Sequence, residues 1–328
     1  MTEQLAPNLH RIEIPLKGNP LRSLNSYVVT SDQRNLLIDT GFNMPECLSA
    51  LQAGIAELGL DMSRTDILAT HMHSDHLGLV TEVASPMSQI YMGRVDYGIF
   101  EAAMTQGDAY WEPAKTRYLS EGYPLDAFEA TWVANPGRKF APSGLFTAQR
   151  LDAGDSLHCG DYHFTVLVTP GHTPGHLCLY DERHQLLIAG DAILFDITPN
   201  ITWWPQLQDS LQSYLDSLEQ LAQLAVTTCL TGHRRNAGQL SQRARALQQH
   251  HQERLADVLA IVKAHPGISG YDIAANMQWS IRASSWEQFP PGQRWFAVGE
   301  AIAHIDHLVQ TQRLQRVVST GIFTYHLE

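Results

Sequence analysis

Within the segment ILATHMHSDHLG, His71, His73, Asp75 and His76 place three imidazoles and a carboxylate in six consecutive positions. Imidazole suits Zn, Fe and Ni, and an adjoining carboxylate favours a hard or borderline ion. Residues two apart share a face of an extended chain. His71 and His73 can therefore aim at one position while Asp75 and His76 point toward a second. The run reads as half-sites for two metals.

The residues before it, TDILAT (65–70), form a short apolar stretch with polar bounds, as expected of a buried strand. After it, Leu77, Val80 and Val83 recur at helical spacing. The cluster therefore sits where a strand ends and a helix begins, the usual place for chemistry in α/β sheets. Four more junctions have the same form. LLIDTG carries Asp39, FTVLVTPGHTPGH carries His172 and His176, QLLIAGD ends at Asp191, and VTTCLTGHRR carries His233. Each joins an apolar stretch to a Gly and a metal-competent side chain. A backbone turning sharply beside crowded ligands needs the small residue.

These five motifs, in this order, resemble the metallo-β-lactamase-fold hydrolases over about residues 8–235. The resemblance implies an α/β fold, an αββα sandwich, and two divalent metal ions per chain. His71, His73 and His172 would hold the first ion. Asp75, His76 and His233 would hold the second, with Asp191 bridging both. Asp39 matches a non-ligand position that supports the metal loops, and His176 one that lies near the site without binding. Zn is the default because hydrolysis needs no redox change, and Fe or Mn would fit the same donors. Two cations sharing a carboxylate can also share a water and lower its pKa from about 15.7 toward 7. Asp75 is then the candidate catalytic residue, orienting the attacking oxygen and carrying a proton to the leaving group. No GxSxG elbow or phosphate loop occurs in the chain.

Between residues 94 and 144 the strand-and-ligand rhythm stops. This mixed helical stretch, with Trp111 among its aromatics, reads as an insertion of the kind that forms lids or binding loops. FDITPNITWWP (195–205) follows Asp191, and its Phe195, Trp203 and Trp204, with Trp111, are candidates for an apolar substrate wall. The other histidines, including the adjacent His250 and His251, follow no ligand spacing and are expected on surfaces or in helix packing.

Charge divides the chain after the last ligand. Residues 1–233 hold 12 Lys+Arg against 27 Asp+Glu, whereas residues 234–328 hold 10 against 7. A catalytic domain over 1–235 and a second domain over 236–328 are expected. Three helical segments and a hairpin turning at Ser319-Thr320-Gly321 make the second resemble a winged-helix module. With ITPN after Asp191, the whole resembles the β-lactamase-like protein 2 branch of the superfamily. Four cysteines without CxxC spacing, no signal-like start and no apolar run near ~18 residues suggest a reduced, cytoplasmic enzyme without a membrane partner.

The leading expectation is a dinuclear hydrolase of a small ester, thioester or lactone. A phosphodiesterase or endoribonuclease is the first alternative, helped by Arg234, Arg235, Arg243 and Arg245. The acidic body argues against an obligatory nucleic-acid partner. A mono-iron enzyme of the persulfide dioxygenase type is the second alternative, and the sequence leaves homo-oligomerisation open.

Overall fold

The computed structural model describes residues 2–280, 283 and 285–328. Seven strands form the first sheet in sequence order: β1 (Thr2–Ala6), β2 (Leu9–Leu16), β3 (Arg22–Val29), β4 (Asn35–Ile38), β5 (Thr65–Ala69), β6 (Ile90–Gly93) and β7 (Gln149–Leu151). The second sheet has the order β12-β11-β10-β9-β8. Its strands are β8 (Ser156–Cys159), β9 (Tyr162–Val168), β10 (Leu177–Asp181), β11 (Leu186–Gly190) and β12 (Thr228–Thr231).

The layers follow from which face of each strand is apolar. β2 turns Ile12, Ile14 and Leu16 toward α1 and Leu9 toward the core between the sheets, whereas β3 is buried along Leu24–Val29 and so is covered on both faces. Tyr27, Val29, Ile38 and Leu68 of the first sheet meet Phe164, Val166, Leu179 and Ile188 of the second in one core. Each fully buried side chain of this size contributes on the order of 1.5–3 kcal/mol. Helices cover the outer faces. α1 (Pro45–Glu57) packs Cys47 and Leu51 on the first sheet with α4 (Arg94–Gln106). α8 (Ser210–Ala222) packs Tyr214, Leu218 and Leu221 on the second. The 3.6-residue spacing makes α8 amphipathic, and the Asp209 carboxylate caps it by accepting the Gln212 N–H. The αββα sandwich is present as expected.

The helix expected after the His run is broken in two, α2 (Ser74–Leu77) and α3 (Val80–Val83). The insertion continues through α5 (Asp108–Ser120), α6 (Leu125–Ala134) and α7 (Pro136–Lys139). It does not stand free as a lid would. Tyr118, Tyr123 and Phe128 of the insertion share a core with the tail helices α9 (Leu240–Ala264), α10 (Gly270–Asn276) and α11 (Pro291–Gln310). Arg117 reaches Asp306 of α11, and the buried Glu121 accepts the hydroxyl of Tyr325. The tail closes with a small sheet of order β13-β15-β14: β13 (Ile268–Ser269), β14 (Leu314–Ser319) and β15 (Ile322–Leu327). The β14–β15 turn lies at Thr320-Gly321, both at positive φ as a two-residue hairpin requires. The strand β13 was not anticipated.

Candidate metal centre

The five junctions converge at one rim of the sandwich. β4 and β5 run parallel, so Asp39 and Thr70, which follow them, come side by side. The Asp39 carboxylate accepts the Thr70 N–H at 2.8 Å, the Thr70 hydroxyl at 2.9 Å and His76 Nδ1–H at 2.8 Å. The Thr70 oxygen, having donated its proton, accepts His71 Nδ1–H at 3.1 Å. Asp39 therefore sets two ring orientations at once. His233 is turned in the same way by Nδ1–H donation to Ser23 O at 2.8 Å, and His172 by donation to Asn200 O at 2.8 Å. With their Nδ1 atoms so anchored, these rings offer Nε2 inward.

Three donor groups result: His71, His73 and His172; His71, His76 and Asp191; and Asp75, His76 and His233, with the donor atoms of each group within 4.8 Å of one another. Asp191 lies between the outer two groups. Its Oδ2 is 3.7 Å from His172 Nε2 and 3.4 Å from His233 Nε2, and its Oδ1 is 3.6 Å from His76 Nε2. Such donors fit divalent cations, and two buried atoms argue it independently. His172 Nε2 and Asp191 Oδ1 have no hydrogen-bond partner, a state that costs about 1–3 kcal/mol for a neutral group and more for a charged one. His76 Nε2 and His233 Nε2 also face each other at 3.3 Å. Two neutral rings would oppose lone pairs there, which a shared proton or a cation relieves.

The electrostatics have the same form. Burial, then the surrounding imidazoles, push His71 well below its ordinary pKa. Burial and His172 bring His73 down to about 3. Neutral imidazole is the form that ligates metal. Burial also opposes charge on His76 and His233, but carboxylates outweigh it. Asp39 and Asp191 raise His76 well above its usual value, and Asp191 with Asp75 pushes His233 up to about 10. Asp75, despite burial, is held down at about 2 by the His233 hydrogen bond and the His76 charge.

His176 accepts the Asp191 backbone N–H on Nε2 at 3.0 Å and donates Nδ1–H to the Thr169 hydroxyl at 2.8 Å. Both nitrogens are committed, so it supports the Asp191 turn. At Gly232 a Cβ would stand 2.3 Å from Asp191 Oδ1 and 2.8 Å from His76 Cε1, so a side chain there would displace the centre.

Two contributors, Asp96 and Asn200, were missed by sequence reasoning. Asp96, at the start of α4, is fully buried and accepts the Met72 N–H at 3.0 Å, the Thr173 hydroxyl at 2.6 Å and the Gly175 N–H. It ties the His71–His76 loop to the His172–His176 loop. Burial raises its pKa to about 6 against those three bonds. Asn200 holds His172 through its carbonyl. Trp204, one of the aromatics expected near the metals, lies with its ring centroid 6.3 Å from that of His73 and donates its indole N–H to His172 O at 3.1 Å. Its neighbour Trp203, expected at a substrate wall, instead lies 5.3 Å from the Arg117 guanidinium in the insertion–tail core. Consecutive residues point different ways. Phe195 packs beside Gly238 against the α8 layer, and Trp111 stands edge-on to Trp132 within the insertion. Asp96 lay outside every ligand motif, while Asn200 was visible only as a member of the ITPNITWWP run.

Comparison with known proteins identifies the family and the fold. A family model described as Metallo-beta-lactamase superfamily matches residues 20–233, and one described as Metallo-beta-lactamase-like, C-terminal domain matches residues 287–327. An acyl-coenzyme A thioesterase, MBLAC2 of Gallus gallus, is 29% identical over 64% of this chain and 72% of its own. A beta-lactamase-like protein 2 homolog of Caenorhabditis elegans is 21% identical over 86% of this chain and 82% of its own. The crystal structure of a metallo-beta-lactamase family protein from Thermus thermophilus superposes with a TM-score of 0.83 at 26% identity, covering 99% of this chain and 100% of that one.

Proposed function

The chain belongs to the metallo-beta-lactamase superfamily and is a metal-dependent hydrolase, and from that premise we propose a dinuclear thioesterase acting on small acyl thioesters of the coenzyme A type. In this reading His71, His73 and His172 hold one divalent ion and Asp75, His76 and His233 the other, with Asp191 reaching both. Zn is the default metal, and Fe or Mn suits the same donors. The observation that carries the reading is the pair of donor triads flanking Asp191, with His172 Nε2 and Asp191 Oδ1 buried and unpartnered.

Two bound cations would acidify a shared water and polarise the substrate carbonyl. Asp75 is the residue placed to handle the proton, its Oδ2 being 3.2 Å from His233 Nε2 at the edge of both triads. Water adds to the carbonyl carbon, the C–S bond breaks, and the proton taken up by the Asp75 carboxylate passes to the departing sulfur. Trp204 shields the His73 side from solvent. No cysteine competes as nucleophile, because all four are buried and burial raises their thiol pKa values.

A thioester is favoured over other acyl substrates by the activity named for the chicken relative. Arg234 and Arg235 follow His233 directly, and burial and the Arg22 charge lower the Arg234 pKa. Arg235 pairs with Asp196 but remains exposed, and this edge suits a substrate bearing phosphates. RNA fits less well because three of the tail arginines are committed. Arg243 donates to Leu194 O and Ile197 O, Arg254 pairs with Glu300, and Arg316 with Asp306. We read residues 1–235 as the catalytic part and 236–328 as a winged-helix-like unit, from its helix-strand-helix-helix-strand-strand order.

Metal analysis followed by assay on acyl-CoA, simple esters, lactones, phosphodiesters and RNA tests the proposal. The expected result is two metal ions per chain and fastest turnover on acyl-CoA. Asp75→Asn, assayed with zinc in enough excess to fill both sites, should lose most turnover. RNA cleaved faster than any thioester, a single iron per chain, or near-normal turnover of fully loaded Asp75→Asn would overturn it.

A further inference from the structure

The tail reaches the ligand His172 through Asn200. Asn200 sits on the loop between Asp191 and α8, and its carbonyl accepts His172 Nδ1–H at 2.8 Å. Its side-chain amide donates to the Glu300 carboxylate of α11 at 3.3 Å, and at 3.4 Å to the backbone of Phe296 one turn earlier. Glu300 is held in turn by Arg254 Nε of α9 at 3.2 Å. Arg254 also donates to Gln278 O at 2.6 Å, and its guanidinium lies 4.1 Å from the Trp279 ring centroid. The same loop is pressed against α11 two residues on. A Cβ on Gly299 would stand 2.2 Å from Thr202 Oγ1 and 2.5 Å from the Tyr118 hydroxyl, so loop, insertion and tail helix meet where only Gly fits.

We propose that Glu300 and Arg254 of the C-terminal helices are positioning residues for the metal ligand His172, acting through Asn200. The proposal rests on the metal-centre reading above. His172 is the one member of its triad not anchored by Thr70 or by chain continuity with the His71–His76 loop. Its ring angle is set instead by a carbonyl whose own residue is pinned from the tail. The chain Arg254–Glu300–Asn200–His172 gives the tail a catalytic consequence without any contact to substrate. Partners of this kind commonly change metal affinity about 10- to 100-fold when removed.

The test uses zinc-loaded full-length protein. Asn200→Ala keeps the backbone carbonyl but frees it from α11. It should weaken one of two zinc sites about 10- to 100-fold in chelator competition, leaving the other unchanged. The hydrogen-bonded His172 ring N–H should be a sharp, slowly exchanging signal in the nitrogen–proton NMR spectrum of the native protein and broaden or vanish in the variant. Glu300→Ala should reproduce both effects, and Glu300→Gln, which keeps an oxygen for Asn200 to bond, should restore most of them. The Asn200→Ala/Glu300→Ala pair should be no worse than Asn200→Ala alone, because both act along one chain. Asp306→Asn, elsewhere on α11, serves as the control for general loosening of the tail and should leave the ring signal intact. An unchanged ring signal and unchanged zinc affinity in Asn200→Ala would overturn the proposal. Failure of the native protein to bind zinc or any other divalent ion would instead overturn the metal-centre reading on which it depends.

Discussion

The sandwich and the insertion–tail unit are held together by different physics. In the sandwich, each metal-facing side chain follows a strand directly, and its anchor is often a neighbour in sequence or on the adjacent strand, as with Thr70, Asp39 and His76. The insertion–tail core is joined by contacts between residues far apart in the chain, such as Arg117 with Asp306 and Glu121 with Tyr325. One region places charge against charge around a gap that a cation can fill. The other buries complete ion pairs among aromatics. The first should therefore depend on metal for its stability, and the second on every member of its network being present.

Metal removal should separate the two most widely. Exhaustive chelation is expected to abolish turnover. At zinc a thousandfold above its Kd, binding adds about 4 kcal/mol to folding, and chelation takes this away. A calorimetric scan reads it as a fall in melting temperature that added zinc reverses. An unshifted melt would mean that Asp191, His76 and His233 are content with protons alone.

Breaking the other region needs a single substitution. Glu121→Ala removes a buried carboxylate from both Arg117 and Tyr325, and breaking a buried pair in this way costs about 3–5 kcal/mol. Tyr325→Phe, which removes only a hydroxyl, should cost about 1–2 kcal/mol. Denaturant titration reads both. Zinc content should be preserved in each, since neither residue touches the centre. Loss of zinc with either variant would make the two regions one cooperative unit.

This contrast also explains what could be read in the chain. Motifs such as LLIDTG, HMHSDH and GHTPGH keep ligand, turn glycine and strand contiguous, so local chemistry reveals them. Asp96 supports the same ligands from outside any motif, and Asn200 from within ITPN without a side chain that marks its role; only the folded chain brings Asp96 to Met72 and Gly175. Trp203 and Trp204 are adjacent and equally aromatic, and their division between the tail core and His73 depends on loop geometry that no periodicity encodes. The insertion read as a lid because the residues it packs against, Ile302 and Ile305 among them, lie more than 150 positions away.

A proton count tests the sandwich more finely. Without a cation, carboxylates that outweigh the cost of burial push His233 up to about 10, so at pH 7 the ring carries a proton that metal must displace. Zinc loading should release it, and zinc affinity should climb with pH toward 10. For the metal-free protein the sign is opposite. The raised pKa stabilises the fold fully below about pH 6.5, the unfolded value, and that contribution fades as pH rises through about 10. Calorimetric titration in buffers of different ionisation heat measures the released protons. Zinc binding with no proton release near pH 7 would mean that His233 is already neutral.

The smallest expected effect lies at the edge between the regions. Arg235 is exposed and pairs with Asp196 at 2.6 Å, so little stability depends on it. Its charge should matter mainly to an approaching anionic substrate. Arg235→Glu is expected to raise KM for an acyl-CoA severalfold at low salt while leaving kcat and zinc content unchanged. The difference should shrink as salt shortens the screening length to about 8 Å near physiological strength. A neutral thioester of the same acyl group should show no change. If both substrates respond alike, the edge acts through local structure and not through charge. If neither responds, discrimination lies with the acyl end, and substitutions at Trp204 beside His73 become the way to locate it. Either result would move specificity away from the sandwich's cationic rim and toward the surface that the insertion and tail build together.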